Sequence, residues 1–296
     1  MKKDFLTIRD LERDEINELF DLAAALKAGR KTHDTLLKNK TLGLIFEKPS
    51  NRTRVSFEVG MFELGGHTIY LGSDEIALGR REAIKDAAKV LSRYLDGVVI
   101  RTFSHDRLLE FAQYAAIPVI NGLTDLLHPC QALSDLFTIK EKKKLEGITL
   151  AFLGDGNNVL NSLLYGCNKM GVKVRAACPK GYEPDAGILK QVGNTVTLFK
   201  TAKDAAKDAD IIYTDVWTSM GQQKEYKKRL RDFRNFQLNS SILKLAKKDA
   251  LVMHCLPAHR GEEITDDVLD GSQSVVIDQA ENRLHVQKAI LVRLLR

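Results

Sequence analysis

Five consecutive polar residues, Ser50-Asn51-Arg52-Thr53-Arg54, follow Phe46-Glu47-Lys48-Pro49. Hydroxyls, an amide and two guanidiniums in one short run are suited to holding an anion, above all a phosphate. The preceding Thr41-Leu42-Gly43-Leu44-Ile45-Phe46 is apolar and ends in a breaker, which reads as a buried strand. Ser50 then suits a helix N-cap. The first turn of a helix carries N–H groups without intrahelical acceptors and a partial positive charge, and an arginine grips two oxygens at once. A capped helix with two solvated arginines is the plainer alternative. Capping accounts for Ser50 but not for two arginines beside it.

The elements that must position this run alternate. Leu11 to Leu26 reads as an amphipathic helix, Thr41 to Phe46 as a strand, and Thr53 to Leu64 as a helix with Val55, Val59 and Phe62, and Phe57, Met61 and Leu64, at three- and four-residue spacing. Gly65-Gly66 ends it. His67 to Leu71, Gly97 to Ile100 and Pro118 to Asn121 read as strands, with helices over Glu82 to Tyr94, Leu108 to Ala116 and Gln131 to Glu141. A second alternation starts after Gly147: strand Ile148 to Leu153, helix Val159 to Met170, strand Val172 to Ala177. Further strands are expected at Ile211 to Thr214, Leu251 to Cys255 and Val275 to Ile277, before a closing amphipathic helix from Glu281 to Leu295. The fold class is α/β, with two doubly wound parallel-sheet domains joined by interdomain helices. The division expected is residues 1–130, completed by 281–296, and residues 131–280; the 296-residue length is comfortable for two cores.

In open α/β sheets ligands sit beyond the carboxyl ends of strands, and the residues following each predicted strand here are polar. They include Arg101-Thr102, His128-Pro129-Cys130-Gln131, Asp155-Gly156-Asn157-Asn158, Asp215-Val216-Trp217-Thr218-Ser219-Met220-Gly221, His254-Cys255-Leu256-Pro257 and Asp278-Gln279-Ala280-Glu281-Asn282-Arg283. Singly, His128 reads as a hydrogen-bonded loop histidine, Gln131 as an ordinary first-turn residue, Cys255 as packing and Arg283 as an exposed helix arginine. Their joint placement carries more weight than any member. Leu153-Gly154-Asp155-Gly156 invites comparison with a dinucleotide site, but the third glycine falls at Val159. Beyond the next strand Cys178-Pro179-Lys180 offers no ribose-binding acid, which argues against NAD.

Composition removes other classes. No apolar run approaches the ~18 residues of a membrane span, and the N-terminus reaches acid and arginine before a signal-peptide core forms, so the reading is cytoplasmic with no membrane partner. Cys130, Cys167, Cys178 and Cys255 lack paired ligand spacing, so thiols are expected rather than disulfides, and neither a metal nor another cofactor. The net charge of +6 includes basic runs at Lys140 to Lys144 and Lys224 to Arg234. Acids interrupt both, no aromatic platform accompanies them, and solvated helix faces are expected, with no nucleic-acid partner.

The motifs at residues 50–54, 128–131, 215–221, 254–258 and 280–283 closely resemble those of the aspartate/ornithine carbamoyltransferase family. D-x-x-x-S-M-G and H-C-L-P point to its ornithine branch. The resemblance implies carbamoyl phosphate and L-ornithine as substrates, with Ser50, Asn51, Arg52 and Thr53 around the phosphate and Arg101 bridging phosphate and carbonyl. It implies that His128 and Arg101 polarise the carbonyl, that Gln131 and the Leu256 carbonyl hold the carbamoyl nitrogen, and that Arg283 adds a phosphate contact. Asp215 and Ser219 would receive the α-ammonium of ornithine, Asn158 and the Met220 amide its carboxylate, and Cys255 would sit beside the reacting amine. A homotrimer, or a multiple of trimers, is implied too, with Ser73 to Arg81 reaching the neighbouring site. Ala77 is apolar where the family often carries a polar phosphate contact, and Asn51 stands where threonine is frequent.

Overall fold

The computed structural model describes residues 3–30, 35–76, 79, 82–219 and 221–296. It forms two compact units, residues 1–137 with 281–296 and residues 138–280. The first unit contains α1 (Arg13–Ala28), β1 (Thr41–Phe46), α2 (Asn51–Glu63), β2 (His67–Gly72), α3 (Ser73–Ile76), α4 (Ile84–Leu91), β3 (Gly97–Arg101), α5 (His105–Tyr114), β4 (Val119–Leu123) and the start of α6 (Pro129–Lys142). The second contains β5 (Thr149–Leu153), α7 (Asn158–Met170), β6 (Lys173–Ala177), α8 (Ala186–Val192), β7 (Val196–Phe199), α9 (Ala202–Ala206), β8 (Ile211–Thr214), α10 (Tyr226–Phe233), α11 (Ser240–Leu243), β9 (Leu251–His254) and α12 (Asp266–Leu269). α13 (Val276–Leu295) begins in the second unit and returns the chain to the first.

Both sheets are parallel throughout, with strand orders β2-β1-β3-β4 and β7-β6-β5-β8-β9. Their inner strands are apolar on consecutive residues because helices cover both faces. Leu44, Ile45, Val98, Val99, Ile100, Val119 and Ile120 have no solvent exposure, and neither do Leu150, Phe152, Leu153, Ile211 and Ile212. In each order the chain departs from a central strand in both directions. The reversal lies between β1 and β3 in one sheet and between β5 and β8 in the other.

Several expectations are corrected. Val275 to Ile277 is not a strand: Val275 donates one bond to Val252, and α13 has begun by Val276, with Asp278 in its first turn where the helix dipole favours an acid. A short β-branched run does not distinguish strand from buried helix by pattern alone. The motif around Arg283 is therefore helical rather than a loop after a strand. In α2 the buried face is Phe57, Gly60 and Met61, followed by Leu64, whereas Val55 and Phe62 are 48% and 78% exposed. The helix carries two apolar stripes, and only one meets its own sheet. The helix expected over Glu82 to Tyr94 is shorter, at Ile84–Leu91.

α13 is anchored to α2 by charge as well as by packing. Lys288 is wholly buried, and its Nζ lies 2.9 Å from Glu63, which Arg30 also reaches at 2.8 Å. Burial opposes the Glu63 charge, but these two hydrogen-bonded cations hold its carboxyl below the ordinary range. Glu63→Ala strands the Lys288 ammonium and is expected to reduce unfolding free energy by about 3–5 kcal/mol in denaturant titrations. Joint replacement of Glu63 and Lys288 by methionine should recover most of that loss.

Candidate functional site

The first unit gathers cationic and amide groups where β1 and β3 diverge. Glu47 N–H continues the pairing to Arg101 O at 2.8 Å, and the Glu47 carboxylate accepts from the Thr102 hydroxyl. Lys48, 4% exposed, pairs with Asp125 and lies 4.4 Å over the Phe103 ring. The loop after β1 is thus tied to the loops after β3 and β4. Ser50 then caps α2, its Oγ accepting from Thr53 N–H at 3.3 Å, as the sequence indicates. Asn51 and Arg52 are exposed on the first turn, while Thr53 is buried.

Arg283 reaches this turn from α13. Its Nη2 donates to Thr53 Oγ1 at 3.0 Å and its Nη1 to Gln131 Oε1 at 2.5 Å, while Gln131 Nε2 donates to Asp135 at 2.8 Å. Arg101, at the end of β3, is also buried. His128 precedes α6, in a loop held by Thr124, whose Oγ1 accepts from Leu127 N–H at 3.1 Å and meets His105 Nδ1 at 3.1 Å. Burial first, then the charges of Arg283 and Arg101, hold His128 well below its ordinary pKa. It is a neutral imidazole among cations. An anion beside these groups would meet a helix N-terminus and arginines, and a polarised carbonyl would meet a donor that needs no deprotonation.

The second unit builds an anionic counterpart where β5 and β8 diverge. Gly154 has φ 129, and at Gly156 an added Cβ would lie 2.3 Å from the Glu183–Pro184 backbone, so that turn needs glycine. Asn157 caps α7, its Oδ1 accepting from Val159 and Leu160 N–H at 3.0 and 3.3 Å, and its Nδ2 donates to Asp215 at 2.7 Å. The other Asp215 oxygen accepts from the Cys255 thiol at 2.9 Å and from Val216 N–H at 2.8 Å. Asp215 is 5% exposed and Cys255 half-buried. Asn158 opens α7 beside the cap. Ser219 N–H donates to Gln222 at 3.0 Å; Met220 lies outside the described residues, as do Ala77 and residues 78, 80 and 81 of the stretch from Ser73 to Arg81. Leu256, after β9, has φ 56.

Two features escaped the sequence, the burial of Arg229 and the pairing of His254 with Glu263. Arg229, within a run expected to be solvated, is 6% exposed and links Asp155 at 2.9 Å to the Trp217 carbonyl at 2.8 Å. Its charge sits 4.9 Å over the Tyr182 ring. The signal lay in Trp217, Tyr182 and Phe233, which enclose it, but their sequence separation hid it. Asn157 is the residue whose side chain donates to Asp215. His254 and Glu263 form a buried pair at 3.1 Å. Asp215, His254 and Cys255 each bring a donor atom within 4.8 Å of the others, and hydrogen bonds already engage all three. No disulfide joins the four cysteines, and no helix among the described residues is long and apolar enough to cross a membrane.

Comparison with known proteins also parts the chain in two, with the second part running on through most of α13. Residues 3–141 match the carbamoyl-P binding domain of the aspartate/ornithine carbamoyltransferases, and residues 146–294 match their Asp/Orn binding domain. The chain belongs to the aspartate/ornithine carbamoyltransferase family. Within it, an ornithine carbamoyltransferase of Methanosarcina acetivorans is 55% identical over 302 residues, covering 100% of both chains. One from Syntrophus aciditrophicus is 54% identical, over 98% of this chain and 99% of its own. The solved ornithine carbamoyltransferase of Pyrococcus furiosus superposes with a TM-score of 0.95 at 49% identity, over 99% of this chain and 96% of that one.

Asp155 gives a pH test of the second unit. Burial, partly offset by Arg229, pushes its carboxyl up to about 6. The folded state therefore binds this proton more tightly than the unfolded state, and the cost of ionising Asp155 grows as pH rises from the ordinary carboxylate range through 6. Moving from pH 7 to pH 5 should stabilise the wild type relative to Asp155→Asn by about 1 kcal/mol, measured from denaturant midpoints of both proteins at both pH values.

Proposed function

We propose that the protein transfers the carbamoyl group of carbamoyl phosphate to the δ-amine of L-ornithine, giving L-citrulline and phosphate. The observation that carries this reading is a pairing of chemistries. A helix start and buried arginines suited to a phosphate group lie in one unit, and a buried carboxylate suited to an ammonium lies in the other, in a chain whose full-length relatives include ornithine carbamoyltransferases.

Ser50, Asn51, Arg52 and Thr53 receive the phosphate, joined by Arg101 and Arg283. Arg101 and neutral His128 stabilise the negative charge that grows on the carbonyl oxygen in the tetrahedral intermediate. Gln131 and the Leu256 carbonyl hold the carbamoyl nitrogen. Asp215 and Ser219 take the α-ammonium of ornithine, and Asn158 with the Met220 amide takes its carboxylate. The δ-amine attacks unprotonated, so its proton, held up to a pKa of ~10.4 in water, must be lost to solvent or a neighbouring base as the amine enters a site that disfavours charge. Cys255, already hydrogen-bonded to Asp215, adjoins that amine. Phosphate leaves from the intermediate carrying the second proton that the attacking nitrogen sheds, no covalent enzyme species forms, and positioning and charge stabilisation supply the acceleration.

We also propose a homotrimer. Val55, Val59 and Phe62 fall on one face of α2, and its exposed Val55 and Phe62 are accompanied by Ile69, 42% exposed, on β2. An outward apolar stripe on an otherwise amphipathic helix suits burial against another copy. A cytoplasmic setting fits four cysteines without a disulfide.

Purified protein offered carbamoyl phosphate with ornithine, putrescine, N-acetylornithine or aspartate should yield citrulline and little else; another dominant product overturns the assignment. Arg52→Ala is expected to lower kcat/KM for carbamoyl phosphate by about 10²–10³-fold, and Asp215→Asn to act chiefly through the KM for ornithine. Initial rates with each substrate varied separate the two. Sedimentation velocity should show a trimer or its multiple, and Phe62→Glu should shift it towards the monomer.

A further inference from the structure

We infer that His254 and Glu263 are positioning residues, a buried imidazole–carboxylate brace that holds the turn after β9 in the shape presenting Cys255 and the Leu256 carbonyl. The inference rests on the reading of function above for what the turn presents, but not for the brace itself. Leu256 has φ 56, a left-handed conformation that a leucine adopts only when its surroundings impose it. Its own N–H donates to His254 Nδ1 at 2.9 Å. The opposite ring nitrogen, Nε2, meets Glu263 Oε1 at 3.1 Å, and the same oxygen accepts from His259 N–H at 2.5 Å. One carboxylate thereby grips the turn at both ends, through the ring at residue 254 and through the backbone at 259. His254 and Glu263 have no solvent exposure.

The start of the turn is fixed independently. His254 N–H donates to Gln279 Oε1 at 3.0 Å, and Gln279 Nε2 donates to the Tyr213 hydroxyl at 3.0 Å. An Nδ1 that accepts from Leu256 carries no proton, so the ring proton sits on Nε2 and points at Glu263. With both nitrogens engaged and no access to solvent, the ring is a strut rather than a proton-transfer group. What it sets is the position of its neighbour. The Cys255 thiol lies 2.9 Å from Asp215, and a turn that relaxed out of its left-handed residue would withdraw that thiol from the carboxylate.

The side chain of asparagine places an acceptor close to where histidine places Nδ1, which separates bracing from bulk. His254→Ala should raise the ornithine KM at least tenfold and lower kcat, with the carbamoyl phosphate KM changed less than threefold. It should also accelerate alkylation of Cys255 by iodoacetamide at least fivefold, scored on the peptide by mass spectrometry. His254→Asn should restore much of both, and Glu263→Gln, which keeps an acceptor oxygen, should do better than Glu263→Ala. Equal behaviour of the alanine and asparagine variants overturns the inference. Should the variants not fold, 15N-histidine spectra of the wild type decide: one ring must show the fixed Nε2–H tautomer, and its absence overturns the brace. A wild type that carbamoylates no ornithine defeats the reading of function, while the alkylation and tautomer measurements still judge the brace.

Discussion

A parallel strand delivers the loop that follows it to one edge of its sheet, and where the strand order reverses, two such loops must part and leave a crevice. Both units obey this constraint, and the rest of the chemistry depends on it. Between β1 and β3 the crevice receives the start of α2 and the end of β3, and therefore Ser50 to Thr53 and Arg101. Between β5 and β8 it receives Asn157 and Asp215, which touch at 2.7 Å. Neither grouping exists in the sequence order. Reversal of the winding brings them together.

The two crevices hold opposite charges by the same means. In the first, Arg101 and Arg283 are buried and the neighbouring His128 gives up its proton, so that positive charge is concentrated without a third cation adding to the repulsion. In the second, Asp215 is surrounded by short-range donors from Asn157, Val216 and Cys255, while Asp155 next to it is paired with Arg229. Preorganised groups of this kind need little rearrangement when charge moves on the substrate, which is why transfer without a covalent intermediate suits them.

What the sequence disclosed followed range. Ser50 was readable as a cap because a cap is a local contact, and the parallel alternation was readable because inner strands are apolar on successive residues. β7, with Thr197 and Leu198 exposed, has the weak pattern of an edge strand and escaped notice. Val275 to Ile277 looked like a strand because three β-branched residues satisfy strand and buried helix alike. Arg229 and the pair of His254 with Glu263 were hidden for a different reason. Arg229 pairs with Asp155, 74 residues away, and His254 meets Glu263 across a loop of irregular backbone that no period describes; a charged residue in a basic run gives no local sign that it will be enclosed. The outward stripe of α2 was seen as periodicity but assigned to the wrong side, since spacing alone does not say which of two apolar faces meets the sheet.

Arg283 lies 230 residues beyond Thr53, its hydrogen-bond partner, yet both belong to the same compact unit. During synthesis the ribosome releases residues 1–137 first, and they wait without their final helix while the contiguous unit of residues 138–280 emerges and folds. Translation must reach α13 before the earlier unit can close around the arginine and around Lys288. The crevice between β1 and β3, first to be encoded, is completed only after the other, and a nascent chain halted before α13 still lacks the Arg283 and Lys288 that its first unit needs.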